Sequence, residues 1–500
     1  MKPGNAERDV ERLSRENERL RQELIERDRK LLEAEKQISE AEKQIADLER
    51  KLALRLQNSV TSSKPPSSDG LAGEQRPRGR QTGKSRRKPG GQPGHRGHWR
   101  GLAPSDRVDQ VIDLLPNRCR HCDCSLAGTR RKVSTQGEPR RHQVTELPPI
   151  EAHITEYRCQ SAVCPDCGKA TQAELPEEVR GYFGPELTAL IAYLTVVCRM
   201  PRRVVQELLG QVLGIPLSLG SIQNSWEEAS EAVAEPCTEL EKQLAHEPVI
   251  NSDETGYRTS GEKRWLWALV ATNFVFYKIA LTRGAEVLVQ LLGEVFAGIL
   301  CSDRCPSYLK YHKGEGQFCW AHFKRNILGI QEIGKTTDAE RFCRDALALH
   351  ARLFRLWHRF RDGPGVRYGP ITRKQLIAKS IPLEKKFFAL ADRYVDSHDK
   401  DVCNLAVALL KHFEKFFAFL RNEGVEPTNN SAERALRCAV QWHKVSFGSR
   451  SAQGEIAVAR LLTVTRTCRM QFREPLNYLG NAIRSHRNAQ AVPSLLASTT

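Results

Sequence analysis

The chain has 500 residues, a formal net charge of +17 and an isoelectric point near 9.3. That length is too great for one core and predicts roughly two to four domains. With 40% apolar residues, a mean hydropathy of −0.50 and a longest apolar stretch of 12 residues at 187–198, a membrane span of about 20 residues is excluded. The start lacks an apolar signal segment, so a cytoplasmic protein is expected, one that joins the nucleoid when bound to DNA. The positive excess points to a polyanion, nucleic acid above all.

Residues 8–55 predict one long charged helix. Val10, Leu24, Leu31, Ile38, Ile45 and Leu52 recur on one set of heptad positions, and Leu13, Leu20, Ala34, Ala41 and Leu48 on the other. Such a grid is a coiled-coil pattern and predicts a homodimer or higher homo-oligomer. Asn17 falls in the first set, where a buried Asn favours one register; Arg27 interrupts the second. Residues 56–105 are rich in Pro, Gly and Ser and have no periodicity, which predicts a linker. Within it, Arg76 to Arg100 holds nine Lys or Arg, Arg86, Arg87 and Lys88 among them, and no Asp or Glu. Such an arm can lie along DNA phosphates.

Six of the fifteen cysteines fall between Cys119 and Cys167. Two CxxC pairs, Cys119/Cys122 and Cys164/Cys167, each form a turn with two thiolates, and together they match a four-thiolate Zn2+ site. Cys124 and Cys159 are spare thiols that can replace a ligand. A zinc-finger-like segment is therefore expected at 106–178. Residues 179–247 read as helices compatible with a helix-turn-helix or with ordinary packing, and are assigned as a helical DNA-binding region.

The texture then changes to short β-branched and aromatic runs: "PVINSDE", "RWLWALVATN", "FVFYKIAL" and "GILCSDR". Two of them end on the same pattern, an apolar run followed by Ser252-Asp253 and by Ser302-Asp303. If those strands are neighbours, their ends bring the two carboxylates together. Paired carboxylates repel unless a cation neutralises them, and oxygen donors suit Mg2+ or Mn2+. Glu433, in the first turn of a helix that Asn429, Asn430 or Ser431 can cap, supplies a third carboxylate. Two ions roughly 3.5–4 Å apart would then activate a water or 3′-hydroxyl and stabilise the departing oxygen. Each carboxylate taken alone reads as a turn former or a capping residue.

"NSDETGYR", "CSDRCPSY" with "CWAHFKRN", and "EPTNNSAERALR", in that order, resemble the DDE transposases of the IS66 family. "NSVTSSKPPSSDG", "KPGGQPGHRG", the CxxC pairs and the leading heptads extend the likeness over residues 8–480. The resemblance implies an α/β fold with an RNase H-like catalytic core at 248–480 and a helical insertion at about 330–424. It makes Asp253, Asp303 and Glu433 the catalytic triad. It places Asn430, Arg434 and Arg437 in the Glu helix motif, and His322 and Trp320 in a motif after the second Asp. The irregular cysteine spacing departs from the family's zinc segment and leaves the zinc ligand set open. The implied reaction is metal-dependent cleavage at transposon ends followed by strand transfer into target DNA, with accessory proteins of the same element as further partners. A transposase-derived protein that only binds DNA and a metal-dependent nuclease are the alternatives.

Overall fold

The computed structural model describes residues 4–56, 101–126, 137–148, 150–176, 179, 181–334, 336–362 and 369–496. The basic run 76–100, and with it Arg86, Arg87 and Lys88, lies outside the described residues. Two compact units divide the chain, one of residues 1–75, 156–208 and 216–500, the other of residues 76–155 and 209–215.

Helix α1 (Gly4–Leu56) covers the heptad segment. The i,i+4 pairs Arg19–Glu23, Glu26–Lys30 and Asp47–Lys51 lie along its surface. The Val, Leu and Ile residues of the apolar grid from Val10 to Leu52 are 51–66% exposed. A hairpin, β1 (Ser161–Val163) and β2 (Ala170–Gln172), follows. Four helices come next: α2 (Pro185–Val196), α3 (Arg202–Val212), α4 (Leu219–Ala232) and α5 (Ala234–Gln243). Pro185 opens α2 at a position where its missing N–H costs nothing, and the Ser218 hydroxyl caps α4 by accepting from Ser221 N–H at 3.0 Å.

A mixed five-stranded sheet forms the centre of the larger unit. It contains β3 (Val249–Thr259), β4 (Glu262–Val270), β5 (Val275–Ala280), then, after α6 (Ala285–Leu292), β6 (Ile299–Ser302), and, after α7 (Pro306–Tyr311), β7 (Gly316–Phe318). Spatial order is β5-β4-β3-β6-β7. The first three strands are antiparallel; β6 runs parallel to β3 with Val249 opposite Ile299, and β7 parallel to β6. Ser260 and Gly261 turn the β3–β4 hairpin with positive φ.

Beyond the sheet run α8 (Trp320–Ile333), α9 (Thr337–Arg361), α10 (Arg373–Arg393), α11 (Lys400–Lys411), α12 (Phe413–Arg421), α13 (Asn430–Ser446), α14 (Ala452–Met470) and α15 (Pro475–Arg487). Two apolar cores result. In one, β4 and β5 pack with α13, α14 and α15, joined by Ala189, Ala192 and Val196 of α2, Trp226 and Ala229 of α4, and Cys237 and Leu240 of α5. Residues of α2, α4 and α5 thus share a core with the sheet. The other core is aromatic and belongs to α8–α12. Trp320 is its centre, fully buried, with ring centroids of Phe323, Phe387, Phe416 and Phe417 at 5.0–5.4 Å. Its indole N–H donates to Phe416 O, so Trp320 is a packing residue.

Candidate active site

Asp253 is not at a strand end. It is the fifth residue of β3, which continues antiparallel to β4 as far as Thr259 opposite Glu262. The polar run Asn251–Thr255 looks like a strand terminus by composition, yet Ser252, Glu254 and Thr255 are buried. Tertiary partners take up their polarity. The Tyr308 hydroxyl of α7 donates to Glu254 and lies 3.2 Å from Ser252 Oγ; Arg283 Nε donates to Glu254. Asp303 does follow its strand directly, one residue after β6. The parallel β3/β6 pairing ends at Asn251 opposite Cys301, so both carboxylates follow the same end of that pairing.

Helix α13 brings Glu433 to them. Asn429 occupies its N-cap position, but its side chain does not cap the helix. Instead Asn429 Nδ2 donates to Ser252 O at 2.7 Å, one residue before Asp253, and Asn429 N–H contacts Cys319 Sγ at 3.1 Å. The far end of α13 is also tied to β3. Phe447 (φ 58°) and Gly448 (φ 92°) turn the chain so that Ser449 N–H donates to Arg258 O at 3.1 Å. A Cβ at Gly448 would lie 2.1 Å from that same carbonyl, so only glycine permits the approach.

The three carboxylates influence one another through charge, although among the described residues their oxygens do not all come within 4.8 Å of one another. Burial, then the charges of Glu254, Asp303 and Glu433, push Asp253 well above the usual carboxylate range. Burial also raises Asp303, opposed by the Cys305 N–H at 2.8 Å and by Arg283, Arg304 and Arg325. Glu254 is raised by burial and by Asp303. Arg325 Nη2 donates to Glu433 Oε1. His322 Nδ1 lies 3.8 Å from that oxygen, is buried and has no hydrogen-bond partner. Burial, reinforced by Arg325 and Arg304, lowers His322 to about 3, so its imidazole is neutral at physiological pH.

A cavity of about 380 Å³ opens beside Asp303, with Arg283, Arg304, His322 and Asn326 in its wall. Carboxylates beside an unpartnered imidazole nitrogen are donors of the type a divalent cation takes, and flanking arginines are of the type that phosphate oxygens take. Cys319, His322 and Glu433 also place ligand atoms within 4.8 Å of one another, but burial pushes the Cys319 thiol up to about 11. Asn430 is half-buried at the start of α13, and Arg434 and Arg437 are exposed on its first two turns.

Of these groups, Glu254, Arg283, Tyr308, Arg304 and Arg325 had no assigned role in the sequence reading. Glu254, Arg304, Tyr308 and Arg325 stand inside the quoted motifs "NSDETGYR", "CSDRCPSY" and "CWAHFKRN", and their positions within those motifs are the available signal; Arg283 lies outside them.

The two CxxC pairs fold alike. Cys119 O accepts from Asp123 N–H and Cys119 N–H donates to Cys124 O; Cys164 O accepts from Gly168 N–H and Cys164 N–H donates to Lys169 O. The fifth residue of each turn, Asp123 and Gly168, has positive φ. The backbone N–H groups two and three residues on lower the thiols of Cys119 and Cys164. Two knuckles of one geometry therefore each favour a thiolate. Cys119, Cys122 and Cys124 lie within 4.8 Å of one another, so Cys124 stands beside the first pair.

The profile of the transposase IS66 family matches residues 180–456, the span that carries the sheet, the three carboxylates and α8–α13. The chain belongs to the IS66 family of transposases. Residues 3–101 of this IS66 family member match a family of unknown function. The uncharacterized protein y4hP of Sinorhizobium fredii is 24% identical over 408 residues, covering 75% of this chain and 71% of that protein. The uncharacterized protein y4qI of the same organism is 25% identical over 273 residues, covering 49% and 48%. Among the described residues no helix is long and apolar enough to cross a membrane.

Proposed function

We propose that this IS66 family member is a DNA transposase that cleaves transposon ends and joins them to target DNA. In this reading the sheet β5-β4-β3-β6-β7 is an RNase H-like core, α9–α12 are its helical insertion, and Asp253, Asp303 and Glu433 are the catalytic triad. The observation that carries it is geometric: the parallel pairing of β3 with β6 ends two residues before both Asp253 and Asp303, and Asn429, at the start of the helix that bears Glu433, donates to Ser252 O at 2.7 Å.

The three carboxylates would hold Mg2+ or Mn2+, two ions per site. Such ions activate a water or 3′-hydroxyl and stabilise the departing oxygen. The chain's own groups do the rest. Arg325 fixes Glu433; Asn429 fixes α13 on β3. Arg283 and Arg304, on the cavity wall, take the non-bridging oxygens of the scissile phosphate. His322, neutral, faces Glu433 without a charge of its own. Arg434, Arg437 and Asn430 extend the contact along DNA, and the arm with Arg86, Arg87 and Lys88 adds salt-sensitive affinity. Each CxxC knuckle, Cys119/Cys122 and Cys164/Cys167, would supply two thiolates to structural Zn2+, and α1 would pair two chains so that two ends meet.

A strand-transfer assay tests the reading. Pre-cleaved duplexes bearing the terminal sequence of the element that encodes the chain, incubated with the protein, Mg2+ and a supercoiled plasmid, are expected to give joined product. Cutting of uncleaved ends with no joining would make the protein a nuclease instead, and binding with neither would leave it a DNA-binding protein.

A further inference from the structure

A second concentration of positive charge lies in the helical insertion. Helices α9 and α10 form a groove of about 360 Å³ that Arg352, Arg355, Arg359, Lys379 and Lys386 line. Leu356 and Leu383 form its apolar floor. Among the described residues no carboxylate lines it, and α9 has no Asp or Glu from Ala346 to its end. The nearest acid on α10, Glu384, is buried and taken up by Arg421 and by the Ser380 hydroxyl at 2.8 Å. Arg352, Arg355, Lys379 and Lys386 are exposed; Arg359 is half-buried, with its Nε donating to Gly369 O at 3.2 Å. The exposed cations Arg352, Arg355, Lys379 and Lys386 repel one another in one groove, a cost to the isolated chain that a bound polyanion removes.

We propose that this groove is a second DNA-binding site, which grips the phosphate backbone of duplex DNA away from the carboxylates. The inference rests on the transposase reading above. Three features select the ligand. Arg352, Arg355 and Arg359 recur every three or four residues, so they form one row about 10 Å long at 1.5 Å per residue. That length of duplex carries about three phosphates on each strand. Lys379 and Lys386 make a second row of equal length on α10. The side chains lining the groove are donors or apolar, with no acceptor to read a base edge, so the contact is to backbone and independent of sequence. An acidic protein would need no such regular spacing.

Fluorescence anisotropy on the full-length chain with a labelled duplex of about 30 base pairs of arbitrary sequence tests this across a range of salt. Each phosphate contact contributes a slope of about −0.9 in log K against log salt. The variant R352Q/R355Q/K379Q/K386Q is expected to lose about three to four units of slope and at least tenfold in affinity at about 0.1 M salt. The control K374Q/K385Q/R393Q/K411Q removes the same charge from exposed positions outside the groove and is expected to lose less than one unit. Equal losses in both variants, or no loss in the first, would overturn the groove while leaving the transposase reading intact. Failure of the unaltered chain to bind duplex at all would overturn both. A second measurement needs no variant: on the unaltered chain, duplex is expected to protect Lys379 and Lys386 from acetylation, with Lys374 and Lys385 still reactive. Uniform reactivity of all four would overturn the proposal.

Discussion

Asp253 concentrates the physical problem of this chain. Desolvation, and after it the charges of Glu254, Asp303 and Glu433, hold its carboxyl well above the usual range. The sign of the stability effect follows. A raised acid keeps its proton in the folded state, so its contribution is intact below the unfolded pKa near 4 and is lost as pH rises through the raised value. A neutral amide in its place would carry no such penalty. With divalent metal chelated, the Asp253→Asn protein is expected to melt above the unaltered protein at about pH 8, with the gap narrowing at about pH 5.5. Scanning calorimetry at both pH values checks this, and a gap that does not depend on pH would mean that Asp253 is not buried among like charges. His322 acts in the opposite sense. Lowered to about 3, it costs stability as pH falls from about 6.5 toward that value. Both effects come from contacts between distant segments. The Ser-Asp repeat at 252–253 and 302–303 was legible because an apolar run precedes each pair. The Glu254–Arg283–Tyr308 network was not, because nothing in local sequence signals that a glutamate has a buried tyrosine partner 54 residues away.

Elements show the same division. Strands β3 to β6, the long helix α1 and the helical stretch α8–α12 were legible from periodicity and β-branched content. Asp253 was misplaced at a strand end because composition alone cannot show that β4 continues to pair with β3 beyond the polar run. Strand β7 has three residues, Gly316, Gln317 and Phe318, too few to carry a period. The position of Asn429 was anticipated as a cap, whereas tertiary packing turns its amide toward the sheet. The cysteine knuckles were legible as turns because CxxC spacing sets their local geometry. About one zinc per purified chain is expected by metal analysis, and little or none in the Cys164→Ser/Cys167→Ser protein. A full-length chain without zinc would remove the metal from the account.

Across the whole molecule, the proposed reading would combine a catalytic core with two means of gathering DNA, the basic excess and self-association through α1. The heptad residues of α1 are more than half exposed, an apolar stripe that a second copy of the helix would cover. Removal of residues 1–56 is expected to convert a dimer into a monomer in sedimentation equilibrium and to leave cleavage of single ends in place. A truncated chain that stays dimeric would assign self-association elsewhere. The central claim is that Asp253, Asp303 and Glu433 share one metal-dependent site for phosphodiester chemistry. The most direct measurement is the Mg2+-dependent cleavage rate of a transposon-end duplex by D253N, D303N and E433Q beside the unaltered chain, with DNA affinity measured in parallel. A loss of about 100-fold or more in rate is expected for each variant, with affinity within about twofold. Any one of the three cutting at the unaltered rate would contradict it.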